Sequence, residues 1–248
     1  MITTIALVTA VALAAAGAVL VRHRFWPSPE GEAREDVAEY IAMMVGVLYA
    51  LLLGLSMVFV WEARSSATEH VQIEASAAHE IYQLAGDLPP ADGARLRESV
   101  SRYVRHTARV ELPALAEGRA LGEEGWQHLH RVRAANRAPA GSDAVQTAAV
   151  QEVLAQLSVL DDARRGRESD ARNSLSPVLW FGLLVGGALT IAFMFLFGIR
   201  RSATHLVMVM GLTGLITLTI VLIYQLNQPF TGLMAVDVSA FGRYFPHV

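Results

Sequence analysis

The sequence predicts an all-helical membrane protein: four transmembrane helices, with a helical-bundle extramembrane domain between the second and third spans. Three observations predict it. Residues 41–60 run for twenty positions without a charge, enough at about 1.5 Å per residue to cross a hydrocarbon layer of about 30 Å. Further uncharged runs occupy residues 2–21, 178–197 and 206–224. Hydrophobic residues make up 53% of the chain and charged residues 17%, with a mean hydropathy of +0.38, too oily for an ordinary soluble domain. The polar remainder repeats its apolar residues at helical spacing and never alternates with period two, so no sheet is expected.

Taken in order, the first run is followed by Arg22-His23-Arg24. A signal peptide would carry its positive charge before a shorter apolar core, so the run reads as a retained first span. Ala10, Ala14 and Ala18 recur at a spacing that lets helix backbones approach. Trp26, Pro27 and Pro29 mark an interfacial break, and residues 31–39 form an acidic connector. In the second run, Gly46, Tyr49, Ala50, Leu53, Gly54, Ser56 and Met57 share one helix side, which Val60 extends. Met44, Leu48, Leu51, Leu52, Leu55 and Phe59 share the bulky opposite side. The small side continues in phase through Arg64, Thr68, Val71, Ala75, Ala78 and Tyr82, as expected of one helix passing from lipid into water.

Residues 61–176 then form the extramembrane bundle. Leu96, Val100, Tyr103, Thr107 and Val110 fall on one helical face before Pro113 ends the pattern. Val145, Ala149, Val153, Leu157 and Leu160 repeat the signal later. Between them lie a turn at Leu88-Pro89-Pro90, a weak helix around Trp126 to Val132, and the breaker-rich residues 138–142. Ser174 and Ser176 are candidate caps for a third span that starts at Pro177, and Gly182, Gly186 and Gly187 notch it as Gly211 and Gly214 notch the fourth. The chain thus divides into residues 1–60, 61–176, 177–225 and an interfacial tail, 226–248. In the tail, Phe241, Tyr244 and Phe245 either anchor at the membrane surface, dock onto the helical domain, or help form a pore mouth.

The two short connectors carry Arg22, Arg24, Arg34, Arg200 and Arg201, which by the positive-inside rule places them in the cytoplasm and the large domain outside. Arg64 and the group Arg164, Arg165, Arg167 and Arg172 pull the other way. All twenty basic residues are arginine, which with the abundant Ala and Gly points to a GC-rich bacterial genome, and the apolar spans then imply a bacterial inner-membrane location. A net charge of -3 gives no footprint for nucleic acid, and with no cysteine there is no disulfide framework or thiolate site.

Catalysis has no visible home. His79-Glu80 is followed by Gln83 where a zincin would need its second histidine, and His128 and His130 point to different helix sides. Phosphate-cradling loops, dinucleotide fingerprints and nucleophile elbows are missing, so neither metal nor cofactor is expected. The arginines of the large domain could bind an acidic ligand, but interspersed with carboxylates they read more simply as a solvated surface. Within the spans only hydroxyls such as Ser56, Thr190, Thr213 and Thr217 offer polar atoms, and no ionisable carboxylate or histidine does. Ion-coupled carriers need such a group at depth, so the pattern disfavours a pump and fits a passive pore.

Several stretches also resemble a known family. Leu48-Tyr49-Ala50-Leu51-Leu52-Leu53-Gly54, Ile73-Glu74-Ala75, Tyr82 with Leu88-Pro89, Tyr103 with Glu111-Leu112-Pro113-Ala114-Leu115, and Pro229-Phe230-Thr231-Gly232 through Val236, Ser239, Ala240 and Phe241 are similar to the bestrophin-like membrane protein family, catalogued as a domain of unknown function. Two places depart from that pattern: Asn227-Gln228 stands where the family carries an acidic-basic pair, and Leu112 where it carries an aromatic. The resemblance implies an oligomeric membrane protein, a channel of bestrophin type, pentameric and anion-selective. The expected function is therefore a homo-oligomeric ion channel in contact with lipid and inorganic ions. Its pore would be lined by Gly46, Tyr49, Ala50, Leu53, Gly54, Ser56, Met57 and Val60, with Arg64, Asn227 and Phe230 at its mouth. The alternative is a sensor or scaffold whose helical domain binds a ligand or partner.

Overall fold

The computed structural model describes residues 10, 11, 14, 17, 32–136, 143–196, 203–232, 234–237 and 239–246. Every regular element among them is helical: α1 (Glu32–Leu84), α2 (Pro90–His106), α3 (Leu112–Ala116), α4 (Glu124–Ala135), α5 (Ala144–Arg172), α6 (Pro177–Leu196), α7 (Ala203–Leu226) and α8 (Ala240–Tyr244). A 3₁₀ turn, Ala85–Asp87, follows α1, and a π-helical turn, Thr107–Glu111, joins α2 to α3.

Among the described residues two stretches are long and apolar enough to cross a membrane, within Tyr40–Asp87 and over Leu206–Leu226, and a third appears if α5 and α6 count as one broken span. The expectation of four crossings is met only to that extent. Residues 2–21, the expected first span, lie outside the described residues apart from 10, 11, 14 and 17, which are helical. The breaker-rich residues 138–142 lie outside them too.

The chain separates into two compact units, one of Met1–Trp61 with Ser174–Asn227 and one of Glu62–Asn173 with Gln228–Val248. Helix α1 runs unbroken for 53 residues and contributes to both. It contains no proline; Pro89 and Pro90 close the chain just after it. In the first unit α6 starts at Pro177, where a missing N–H costs nothing, and the Ser176 hydroxyl accepts from the Leu179 amide at 3.3 Å.

The second unit folds around one apolar core. Helix α1 supplies Ala67, Val71, Ala75, Ala78 and Ile81, α2 supplies Leu96, Val100, Tyr103 and Val104, α4 supplies Leu129 and Val132, and α5 supplies Val153, Leu157 and Leu160. The tail completes it: Phe230, Val236, Ala240, Phe241 and Phe245 are buried in the same cluster. Of the readings open to the tail, these residues take docking onto the helical domain.

Two expected core positions are corrected: Val145, in the first turn of α5, is 65% exposed, and Val110 is the other. Val110 is 51% exposed, although its spacing from Leu96 and Tyr103 predicts an inward side chain. The π-helical turn supplies the reason. Its wider winding accommodates an extra residue and shifts the phase of the helix beyond it, so Glu111 and Leu112 turn inward where a continuous α-helix would bury Val110.

Candidate functional site

In the membrane-helix unit, the side of α1 read as continuous from sequence splits into two neighbouring stripes. Tyr49, Ser56 and Val60 are buried and Leu53 is half-buried. Tyr49 sits where α6 has no side chains: a Cβ on Gly186 would lie 2.6 Å from Tyr49 Cδ2, and one on Gly187 would lie 2.8 Å from its hydroxyl. Notching of this kind lets helices approach where lipid supplies no hydrophobic drive. The adjacent stripe is open. Ala50 and Gly54 are exposed, Gly46 and Met57 are half-buried, and a Cβ on Gly46 or Gly54 would meet nothing within 4 Å among the described residues. Within the unit, the hydroxyls of Tyr49, Ser56 and Thr213 are buried without a hydrogen-bond partner among the described residues.

The second unit holds a buried ionic cluster. Arg164 and Arg167 lie one turn apart on α5, each with a side chain 0% exposed. Arg164 grips Glu111 with two hydrogen bonds, Nη1 to Oε2 at 2.8 Å and Nη2 to Oε1 at 2.5 Å. Arg167 donates from Nε to Glu74 Oε2 at 2.5 Å, and from Nη2 both to Glu74 Oε1 at 3.1 Å and to Glu111 Oε2 at 2.8 Å. The Tyr103 hydroxyl donates to Glu74 Oε1. Two cations thus face two carboxylates, with Glu168 a further anion 3.2 Å from Arg164. Trp126 stacks on the Arg164 guanidinium at 5.0 Å. Gly125 is required beside it, because a Cβ there would run into Glu111 Oε1 and the Arg164 guanidinium.

The electrostatics follow from burial and pairing. Burial alone would push Glu111 up, but the hydrogen bonds from Arg164 and the charges of Arg167 and Arg164 outweigh it and hold the carboxyl at about 2. Burial would lower Arg164 and Arg167. Their carboxylate partners reverse that and raise both, Glu111 acting chiefly on Arg164 and Glu74 chiefly on Arg167. Tyr103 is raised, first by burial and then by Glu74. Glu111 and both arginines therefore stay charged at neutral pH, and the cluster ties α1, α2, the π-helical turn and α5 into one register. It corrects the reading of these arginines as a solvated surface.

A second, half-buried pair lies nearby in the same unit: His70 Nδ1 and Asp170 Oδ2 are 2.6 Å apart. Gly166 on α5 leaves room for the His70 ring. No group of three or more His, Asp or Glu side chains that could hold a metal occurs among the described residues. His79 instead packs against Tyr244 and Phe245, at ring separations of 5.2 and 5.7 Å. Of the three residues assigned to a pore mouth, Arg64 Nε donates to the Met234 carbonyl at 2.7 Å and Phe230 is buried in the domain core. In the other unit, Asn227 Oδ1 accepts from the Leu175 amide at 2.6 Å.

The comparison with known families bears on all of this. The family model of the Bestrophin-like domain matches residues 9–241. The chain belongs to the Bestrophin-like family. The match spans both compact units of this Bestrophin-like chain, so the ionic cluster and the notched helices fall within one family domain. No curated protein and no solved structure matches it. Family membership together with the apolar helices makes this a membrane protein.

Proposed function

We propose that this Bestrophin-like chain assembles into a homo-oligomeric, passive ion channel, anion-selective by family analogy, with α1 bordering the pore. The observation that carries the reading is the open stripe Gly46–Ala50–Gly54, small, charge-free and, among the described residues, without a neighbour where a Cβ on Gly46 or Gly54 would sit. Small faces turned to a common axis leave room for ions, and weakly polar walls release them quickly. Tyr49, Ser56 and Val60, packed inside the subunit, hold that stripe in place, and pentamers are the assembly the family analogy favours. The orientation proposed is a bacterial inner membrane with the helical domain outside. Burial of Arg164 and Arg167 supports it, since these charges no longer count among the basic residues flanking the bilayer.

A sensor or scaffold is the second reading, favoured by one observation: Glu74 pairs with Arg167 from the same helix that carries the open stripe. A flux assay on reconstituted liposomes separates the two. The channel reading expects chloride flux exceeding that of potassium and sodium. Liposomes that stay tight to all three ions overturn it.

A further inference from the structure

The helical domain also carries a cavity of about 270 Å³ between α2 and α4 that the channel reading does not use. Its lining is cationic. Arg95 and Arg102 come from α2, His128 and Arg131 from α4, while Ser99 and Ala135 are the buried residues of its wall. No carboxylate is among the lining residues. Asp92 pairs with Arg95 at 3.4 Å and Glu98 pairs with Arg102 at 3.1 Å, both along the outside of α2. Exposed pairs of this kind are weak, so both guanidinium groups can exchange their partners for a ligand.

Arg131 is arranged differently. Its Nη1 lies 3.4 Å from His128 Nδ1. A guanidinium only donates, so Nδ1 is the accepting nitrogen in this contact. Four charged or titratable groups bear on that ring from both helices: Arg102 and His106 from α2, Arg131 and Glu124 from α4. His128 is lowered by burial first, then by His106, Arg131 and Arg102, with Glu124 opposing. Three arginines and a histidine thus line one cavity, and the carboxylates that pair with Arg95 and Arg102 are not part of its lining.

We propose that this cavity binds an oxyanion of the phosphate class, with Arg95, Arg102 and Arg131 as its charge partners. Planar guanidinium groups match phosphate oxygens in forked pairs, which a point charge cannot do. The volume lies near the lower end of small-molecule sites, the size of inorganic phosphate or a small phosphate ester. An anion in the cavity opposes the repulsion on His128, so binding favours a proton on its ring.

The test is isothermal titration of the full-length, detergent-purified protein with inorganic phosphate, with acetate as a second probe. Saturable phosphate binding is expected, weakened about 10- to 100-fold in Arg131→Gln and in Arg102→Gln. Arg119→Gln, an exposed arginine paired with Glu117 outside the cavity, leaves it unchanged. Buffers of different ionisation enthalpy should reveal proton uptake on binding. Nanodiscs with and without phosphatidic acid identify the source: a phosphate response lost only with the acidic lipid assigns the site to a lipid headgroup, and a response kept in both assigns it to a soluble phosphate. No saturable binding in detergent or nanodiscs, or equal weakening in Arg119→Gln, overturns the proposal.

Discussion

The two compact units solve the same problem, holding helices together, by opposite means. In the helical domain, apolar side chains from α1, α2, α4, α5 and the tail fill one core, and an ionic cluster is set into it in which each arginine holds a carboxylate, although Arg164 Nε and Arg167 Nη1 find no hydrogen-bond partner among the described residues. In the membrane-helix unit, Tyr49 lodges against Gly186 and Gly187, and three buried hydroxyls find no partner among the described residues. Water makes the first arrangement strong, because burial there removes apolar surface from solvent. Lipid withholds that gain, so contact is won by small residues and close approach. A buried charge consequently matters greatly in one unit, and a buried hydroxyl matters little in the other.

The largest effect is expected where the cluster is broken on one side only. Arg167→Met leaves Glu74 buried without its main cation and should cost about 3–5 kcal/mol. Thermal unfolding of the helical domain, followed by circular dichroism, reads it out. A loss below about 1 kcal/mol would mean that water reaches the cluster. The next effect is on pH. Glu111 is held at about 2 in the folded chain, against an ordinary value of 4.5. A depressed carboxyl stabilises above its unfolded pKa and loses that contribution as protons return. Stability should therefore fall by about 3 kcal/mol between about pH 5 and pH 2, and an acid titration that is flat across this window contradicts the pairing.

The comparison itself is sharpened by removing the same atom from both units. Tyr103→Phe deletes a hydroxyl that donates to Glu74 and should cost about 1–2 kcal/mol, because part of a buried polar network goes with it. Tyr49→Phe deletes a hydroxyl with no described partner and should shift stability by less than about 0.5 kcal/mol. Equal losses would mean that the Tyr49 hydroxyl is bonded in the assembled protein, for instance across a subunit boundary.

Much of the helical framework was legible because each element carried its own local signal. Pro177 with Ser176 announced the start of α6, and Leu96, Val100 and Tyr103 traced the buried face of α2. The ionic cluster was not read, since its partners lie far apart: Arg164 meets Glu111 across 53 positions and Arg167 meets Glu74 across 93. A usable signal did exist. Val153, Leu157, Leu160, Arg164 and Arg167 advance by alternating steps of four and three, so the two arginines occupy the apolar stripe of α5. Glu74 does the same on α1 between Val71 and Ala78. A charge standing on an apolar stripe calls for a buried partner. The π-helical turn left no such trace, and Val110 was misplaced for that reason.

The open stripe of α1 is the feature on which a pore in this protein turns. Because the chain has no cysteine, a single introduced thiol can report on it without background. In reconstituted liposomes, Ala50→Cys and Gly54→Cys should lose chloride flux when treated with a membrane-impermeant, negatively charged thiol reagent, while Leu51→Cys and Leu55→Cys on the bulky side keep theirs. Flux untouched at positions 50 and 54, or lost equally at 51 and 55, would contradict a pore bordered by that stripe.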